Sequence, residues 1–257
     1  MFYGLDITYD DRSASEFGLQ VINFDTGKQD KSFTPTYSIL EEKARSRDVP
    51  HFFGVETGDP LEFSIILGSE EELDRYDKNA IARWVSQKEY KRLVVDQEDL
   101  ENLVYFAICE SSKTIEVGGM AYAIQLEMRC NAHYPYEEIT ETLITTTAND
   151  YFTFYSPSGL NEYVYPTLTI ENPVGLNSFV IKNNTDDNTR LFEFENLVGG
   201  ESIIVDNDLG LVSGDATFND FSAVSKWFRL VPEDNTIRVI AAAGMTITVT
   251  GLFPIIN

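Results

Sequence analysis

Histidine and cysteine are nearly missing from this chain, with two of each among 257 residues. His51 falls in a turn-rich loop and His133 in a proline-containing junction, and neither has a nucleophile motif beside it. A hydroxyl or thiol nucleophile needs a neighbouring base, so acyl-transfer chemistry has no machinery here. Cys109 and Cys130 form neither a Cys-x-x-Cys pair nor a set with histidines at zinc-site spacing, which leaves zinc without ligands. Each lies inside an apolar, strand-like run (YFAICES and IQLEMRCN) and reads as a buried free thiol. A disulfide between them is the alternative, disfavoured where the compartment is reducing.

Positive charge is scarce as well. Lysine and arginine number 19 against 42 acids, giving a net charge of −23 and a pI near 4.3. A phosphate-binding surface needs a basic stripe, so the chain is expected to repel nucleic acid rather than hold it. The richest basic segment, Lys88–Leu93, is short and sits on a predicted helix. No apolar run approaches the length of a membrane-spanning helix. The stretch MFYGLDITYDD is acidic and lacks the regions of a signal peptide, so synthesis and retention in the cytoplasm are expected. Gly-rich phosphate loops and dinucleotide fingerprints are also absent from the sequence.

What is present is mostly strand. FGLQVINF (Phe17–Phe24) alternates weakly, and KARSRDVPHFFGVETGDP is polar with turn-marking glycine and proline. PLEFSIILG (Pro60–Gly68) reads as a strand. One helix is predicted after it. Ser69 and Glu72 fit a capping box, and Leu73, Tyr76, Ala80, Ile81, Trp84 and Val85 recur at steps of three and four. LVV, LVYFAICES and GGMAYAIQLEMRC follow as strands, the last with Tyr122, Ile124, Leu126 and Met128 on one face. A boundary is expected near His133–Glu138. Beyond it come YVYPTLTIEN, with Val164, Pro166, Leu168 and Ile170 on one face, then SFVIKN, RLFEFENL, ESIIVDND, GLVSG, KWFRLVP, TIRVIAA and MTITVTGLF. Short strands at regular spacing, with no helix between them, predict an antiparallel sandwich or barrel.

The stretch GGESIIVDNDLGLV (Gly199–Val212) has the look of a metal loop but fails the calcium template. Counting from Asp206, the third place is Asp208, the fifth is Gly210 and the twelfth is Thr217. Hairpin turns explain Asp206-Asn207-Asp208 with Gly210, and Gly199-Gly200 before them. Glu201 is expected at the solvent end of its strand, and Glu193 with Glu195 on a solvated face. Trp84 and Trp227 are expected in cores, whereas the tyrosines of HYPYEE and YVYP are candidates for exposure. Asn183-Asn184-Thr185 matches a glycosylation sequon that matters only on secretion. No catalytic, cofactor-binding or metal residue is nominated, and no cofactor is expected.

The order of these segments resembles the distal tail protein (Dit) family of phages with long, non-contractile tails. GDPLEFSIILGS, AIARWVSQKEYKRLVV with Trp84, and AYAIQLEMRCNAHYPYE, with its Cys-x-x-x-Tyr-Pro-Tyr junction, look like the family's first half. YVYPTLTIEN, SFVIKNNTD, GGESIIVDND and LVPEDNTIRV look like its second. PEDN (Pro232–Asn235) departs from the family's usual turn. The resemblance implies a mainly β protein: a β-barrel-like belt domain with one α-helix over residues 1–134, and a galectin-like antiparallel β-sandwich over residues 135–257. It implies a virion component at the tail tip. There the belt domain forms a homohexameric ring, with the major tail tube protein above and the tail-associated hub protein below. A receptor-binding protein is a further candidate partner, and DNA passes through the lumen without specific binding. Ring contacts are expected in the helix Asp77–Leu93, the loop Arg45–Gly58 and the edge strand Phe17–Phe24. Two other classes compete: a carbohydrate-binding module that grips host saccharide with a tyrosine-lined face of residues 138–257, and a sandwich-fold glycoside hydrolase. The second needs two carboxylates across a cleft, and with 42 acids an apparent pair carries no information.

Overall fold

The computed structural model describes residues 6–22, 37–43, 48–97, 100, 102–171, 175–187, 189–241 and 243–256. The chain divides into two compact units, Met1–Tyr136 and Glu137–Ile255.

The first unit carries β1 (Ile7–Tyr9), β2 (Arg12–Ser13), β3 (Leu19–Val21), β4 (Tyr37–Glu42), β5 (His51–Thr57), β6 (Glu62–Ser69), α1 (Arg75–Val85), β7 (Lys91–Val95), β8 (Leu103–Val117) and β9 (Met120–Cys130). Seven strands pair in the order β3-β6-β9-β8-β7-β1-β2, all antiparallel. The sheet is open, and no barrel closes among the described residues. Strands β8 and β9 meet at Gly118-Gly119, with φ of 65° and 86°. A two-residue turn matched to strand twist needs positive φ at both positions, which glycine adopts freely.

The helix differs from its expected form at both ends. Its N-cap is Asp74, whose carboxylate accepts from Tyr76 N at 2.6 Å and Asp77 N at 2.8 Å, while Asp77 returns a bond to Asp74 N. Ser69 instead ends β6. The predicted box failed because residues 70–74 run without helix between the strand and the true cap. At the other end Ser86 breaks the helix, and Lys91–Val95 is strand β7, so the basic run lies off the helix. Ile81, Trp84 and Val85 are buried, but Tyr76 is 80% exposed, contrary to its place in the predicted stripe. Trp84 anchors the helix: its indole N–H donates to Tyr9 O at 2.8 Å and its ring stacks on Phe17 at 4.7 Å.

The second unit is a sandwich. Its strands are β10 (Tyr136–Ile144), β11 (Asn149–Ser156), β12 (Thr167–Glu171), β13 (Phe179–Asn183), β14 (Phe192–Phe194), β15 (Ser202–Asp206), β16 (Leu211–Gly214), β17 (Glu233–Ile240) and β18 (Thr246–Pro254). One sheet runs β16-β15-β12-β18-β10 and the other β11-β17-β13-β14. Period-two alternation turns Leu168, Ile170, Ile203, Val205, Ile247, Val249 and Phe253 of the first sheet inward. They meet Phe154, Phe179, Ile181, Phe192, Phe194, Ile237 and Val239 of the second in one core. The sequence pattern led to no strand expectation where β10 and β11 form.

KWFRLVP forms no regular strand; Leu230 makes only an isolated bridge to Val164. Its backbone is satisfied by side chains and loop groups instead. Lys226 N donates to Leu191 O, Arg190 donates to Trp227 O, Phe228 N donates to Asn207 Oδ1, and Asn183 Nδ2 donates to Arg229 O. Trp227 accordingly lies half-buried at the core margin, stacked on Phe221 at 4.7 Å. PEDN is also resolved differently: Glu233 has φ 67° and already begins β17.

Candidate functional site

The residues weighed for chemistry have structural work. Asp206 Oδ1 accepts from Asp208 N at 3.0 Å and Leu209 N at 2.9 Å, closing the β15–β16 turn with Gly210 at φ 66°. Asn207 points inward and is 2% exposed; its amide donates to Pro166 O at 2.6 Å and accepts from Phe228 N at 2.7 Å. Glu201 accepts from Val198 N at 2.8 Å. The Asn183 of the sequon is buried and bonded to Asn235, which closes it to any modifying enzyme while the unit is folded. His51 lies on exposed strand β5, whereas His133 packs edge-on against Tyr134 at 4.7 Å. Tyr134 and Tyr136 of the junction are half-buried, and Tyr136 meets Phe106 at 5.7 Å. Cys130 is buried, and its thiol is pushed up to about 12 by that burial. Cys109 is only half-buried rather than fully so, and both thiols are free.

The segments expected to make ring contacts fall into three different settings. Phe17–Phe24 does supply an edge: β3 ends the sheet order, with Leu19 buried and Phe17 committed to Trp84. Asn23 and Phe24 lie outside the described residues. The helix gives its inner face to the core and leaves Tyr76, Asn79, Ala82 and Arg83 exposed. Beside it, Ser15, Gln20, Glu70, Glu71, Glu72 and Asp77 line an acidic cleft of about 400 Å³.

Arg45–Gly58 holds the largest surprise. Residues 45–47 lie outside the described set, but His51–Thr57 is a strand rather than loop, paired with β4 in a separate two-stranded ribbon. Ile39 opposes Val55 and Leu40 opposes Gly54, with a bulge between Leu40 and Glu41. Ile39, Phe52, Phe53 and Val55 are 63%, 66%, 67% and 51% exposed. Phe52 and Phe53 are adjacent in an extended chain, so apolar groups stand on both faces. A lone two-stranded ribbon is marginal in water, and this one carries exposed apolar side chains on both faces. The sequence signal was present in HFFGV but was masked by the flanking charges and turn formers.

The described residues thus form an open antiparallel sheet with an exposed apolar ribbon in one unit and a β-sandwich in the other. The chain belongs to the phage tail protein family: the model for the phage tail protein N-terminal domain matches residues 2–132, and that for the phage tail C-terminal domain matches residues 134–249. It is a structural component of a bacteriophage tail. No curated protein sequence matches the chain. Solved structures share its fold. The Dit protein of phage SPP1, described as a paradigm of the hub adsorption apparatus in phages infecting Gram-positive bacteria, superposes with a TM-score of 0.68 at 13% identity, over 96% of this chain and 98% of that one. The phage P2 baseplate in its activated conformation matches at 0.56 and 7% identity with calcium, over 95% of this chain and 97% of that one. With strontium it matches at 0.56 and 8%, over the same shares. Among the described residues no helix is long and apolar enough to cross a membrane.

Proposed function

We propose that this protein is a distal tail protein. Six copies close into a ring at the far end of the tail tube, between the last ring of major tail tube protein and the tail-associated hub protein. Residues 1–134 form the ring, and residues 135–257 project outward, where a receptor-binding protein attaches. The observation that carries the reading is the β4–β5 ribbon, because a ring needs heterologous contacts that close by rotation and an apolar arm supplies one side of each. Six copies at −23 apiece carry 6 × −23, or −138. Acid facing the lumen repels DNA phosphates and lets the genome slide without sticking.

The double variant Phe52→Ser/Phe53→Ser tests the contact. Wild-type protein mixed with its tube and hub proteins is expected to give rings by native mass measurement and electron microscopy, whereas the variant stays monomeric with an unchanged melting temperature. Undiminished rings from the variant would remove the ribbon from the contact. Complete tails in particles lacking this protein would end the reading, and a basic lumen in the assembled ring would end the sliding role.

A further inference from the structure

The two sheets of the sandwich end differently. Strand β14 ends one of them, and its outer side is covered by the chain itself: Phe221 bridges Phe194, Glu195 N donates to Asp220 O at 2.8 Å, and Ser222 N donates to Glu193 O at 3.0 Å. Strand β16 ends the other, and among the described residues no strand or bridge lies beyond it. An open edge offers a row of backbone donors and acceptors to another chain, and Leu211–Gly214 has neither proline nor lysine to blunt it.

Apolar side chains gather at this edge. Leu209 and Leu211 are 68% and 57% exposed. Gly210, between them, lies so close to Trp227 that a Cβ there would come within 3.2 Å of the indole. Trp227 stacks on Phe221 and stands 6.1 Å from Phe218, which is 62% exposed. Leucines and aromatic rings therefore run together beside the strand. Apolar residues exposed singly are ordinary on a surface, whereas a joined set of them marks a contact.

The charge around the patch has one sign. Residues 191–225 carry seven acids and no lysine, arginine or histidine. Asp206 and Asp208 stand in the turn before β16, Asp215 follows it directly, and Asp220 lies between Phe218 and Phe221 in the chain. Arg190 and Lys226, which border this stretch, line a different hollow with Asp186 and Arg229.

We propose that the β16 edge takes an extended segment of another protein as one more strand of the sheet. The segment's apolar side chains cover Leu211, Phe218 and Trp227, and lysines or arginines at its two ends meet Asp208 and Asp215. Charge selects this occupant. A second copy brings the same acids to the edge and is repelled, and nucleic acid is repelled in the same way. The edge is four residues long, so side chains carry as much of the recognition as the backbone ladder. The assignment concerns the second unit alone and stands whether or not six copies close into a ring.

The test titrates the full-length chain with a short peptide of alternating valine and threonine that ends in lysine on both sides, to about 1 mM in about 0.15 M salt. Calorimetry is expected to show binding, with slowed amide exchange across Leu211–Gly214. The same peptide with glutamate at its ends, or with proline at its centre, is expected to bind at least about tenfold more weakly. Phe218→Ser and Leu211→Ser each lower the affinity about tenfold. Both side chains are exposed, so the melting temperature stays the same. Asp208→Asn with Asp215→Asn weakens the lysine-ended peptide, while asparagine keeps the oxygen that accepts from Ser202 N at 2.9 Å, which separates charge from fold. Absence of binding, equal binding of the glutamate or proline peptide, or undiminished binding by the Phe218 and Leu211 variants overturns the assignment. Dimers of the full-length chain that Phe218→Ser abolishes would give the edge to a second copy and equally overturn it.

Discussion

Three buried asparagines do in the second unit what a ladder does elsewhere. Asn235, 0% exposed, accepts from Val231 N at 2.8 Å and from Asn183 Nδ2 at 2.7 Å, and donates to Val231 O and Glu233 O. Removing it strands several buried groups at once, and each unsatisfied group costs on the order of 1–3 kcal/mol. Asn235→Ala is therefore expected to lower the unfolding free energy by about 3 kcal/mol, read by urea denaturation of the full chain. Asn183→Ala is expected to act in the same direction. The thiols give a second residue-scale expectation. Burial holds the Cys130 thiol at about 12 against an ordinary 9.0, and burial likewise raises the Tyr9 phenol from 10.0 to about 12. Both groups ionise more readily in the unfolded chain, so their contribution is intact below about pH 9 and is lost as pH rises towards 12. Melting temperature should fall across that window, and at pH 8 iodoacetamide should leave Cys130 unlabelled until the protein unfolds. A Cys130 that labels rapidly in the folded protein would contradict the burial.

At the scale of elements, the helix offers a paired experiment. Asp74→Ala removes the cap and is expected to lower the melting temperature by about 2–4 °C. Ser69→Ala, at the predicted cap, should leave it nearly unchanged, since the Ser69 hydroxyl accepts from Glu71 N at 3.2 Å, outside the helix. Equal effects would mean that the helix begins earlier. The same comparison shows what the sequence could convey. Strong alternation, as in Leu168 and Ile170 or Phe192 and Phe194, transferred directly into inward faces, because period two has one physical solution when one face must be buried. The helix interior was legible for the same reason, with Ile81, Trp84 and Val85 at their spacing. Its cap was ambiguous because Ser69 and Asp74 both precede acids at the correct distance, and only the chain's path decides between them. KWFRLVP looked like a strand because its ladder was replaced by Asn207 and Asn183, 21 and 46 positions from the backbone groups they satisfy, which local pattern cannot see. The ribbon was the least legible element. Phe52 and Phe53 lie in a segment whose polar residues, glycine and proline read as loop, and nothing local announces an exposed strand there. In NDYFTFYS the alternation of tyrosine and threonine against phenylalanine was nevertheless present.

For the whole molecule, charge sets the conditions of association. Copies at −23 repel one another, and screening shortens that repulsion from roughly 30 Å at 0.01 M salt to about 8 Å at 0.15 M. The ribbon contact proposed above, being apolar, gains nothing from low salt. Assembly should therefore strengthen as salt rises from 0.01 to 0.15 M (both approximate working conditions), as read by light scattering behind size exclusion. Rings that fall apart over the same range would point to ion pairs as the main contact and displace the ribbon from that place.

The position of β18 has a consequence in time. This strand lies in the middle of its sheet, between β12 and β10, yet it is made after every other strand of the sandwich. About a hundred residues separate the end of β10 from the start of β18, so a ribosome moving at about 5–20 residues per second leaves the gap open for roughly 5–20 seconds. A message cut short before Thr246 yields a chain without Ile247 and Val249, the β18 residues that stand opposite Ile170 and Leu168. A message broken before that point therefore cannot supply a finished second unit.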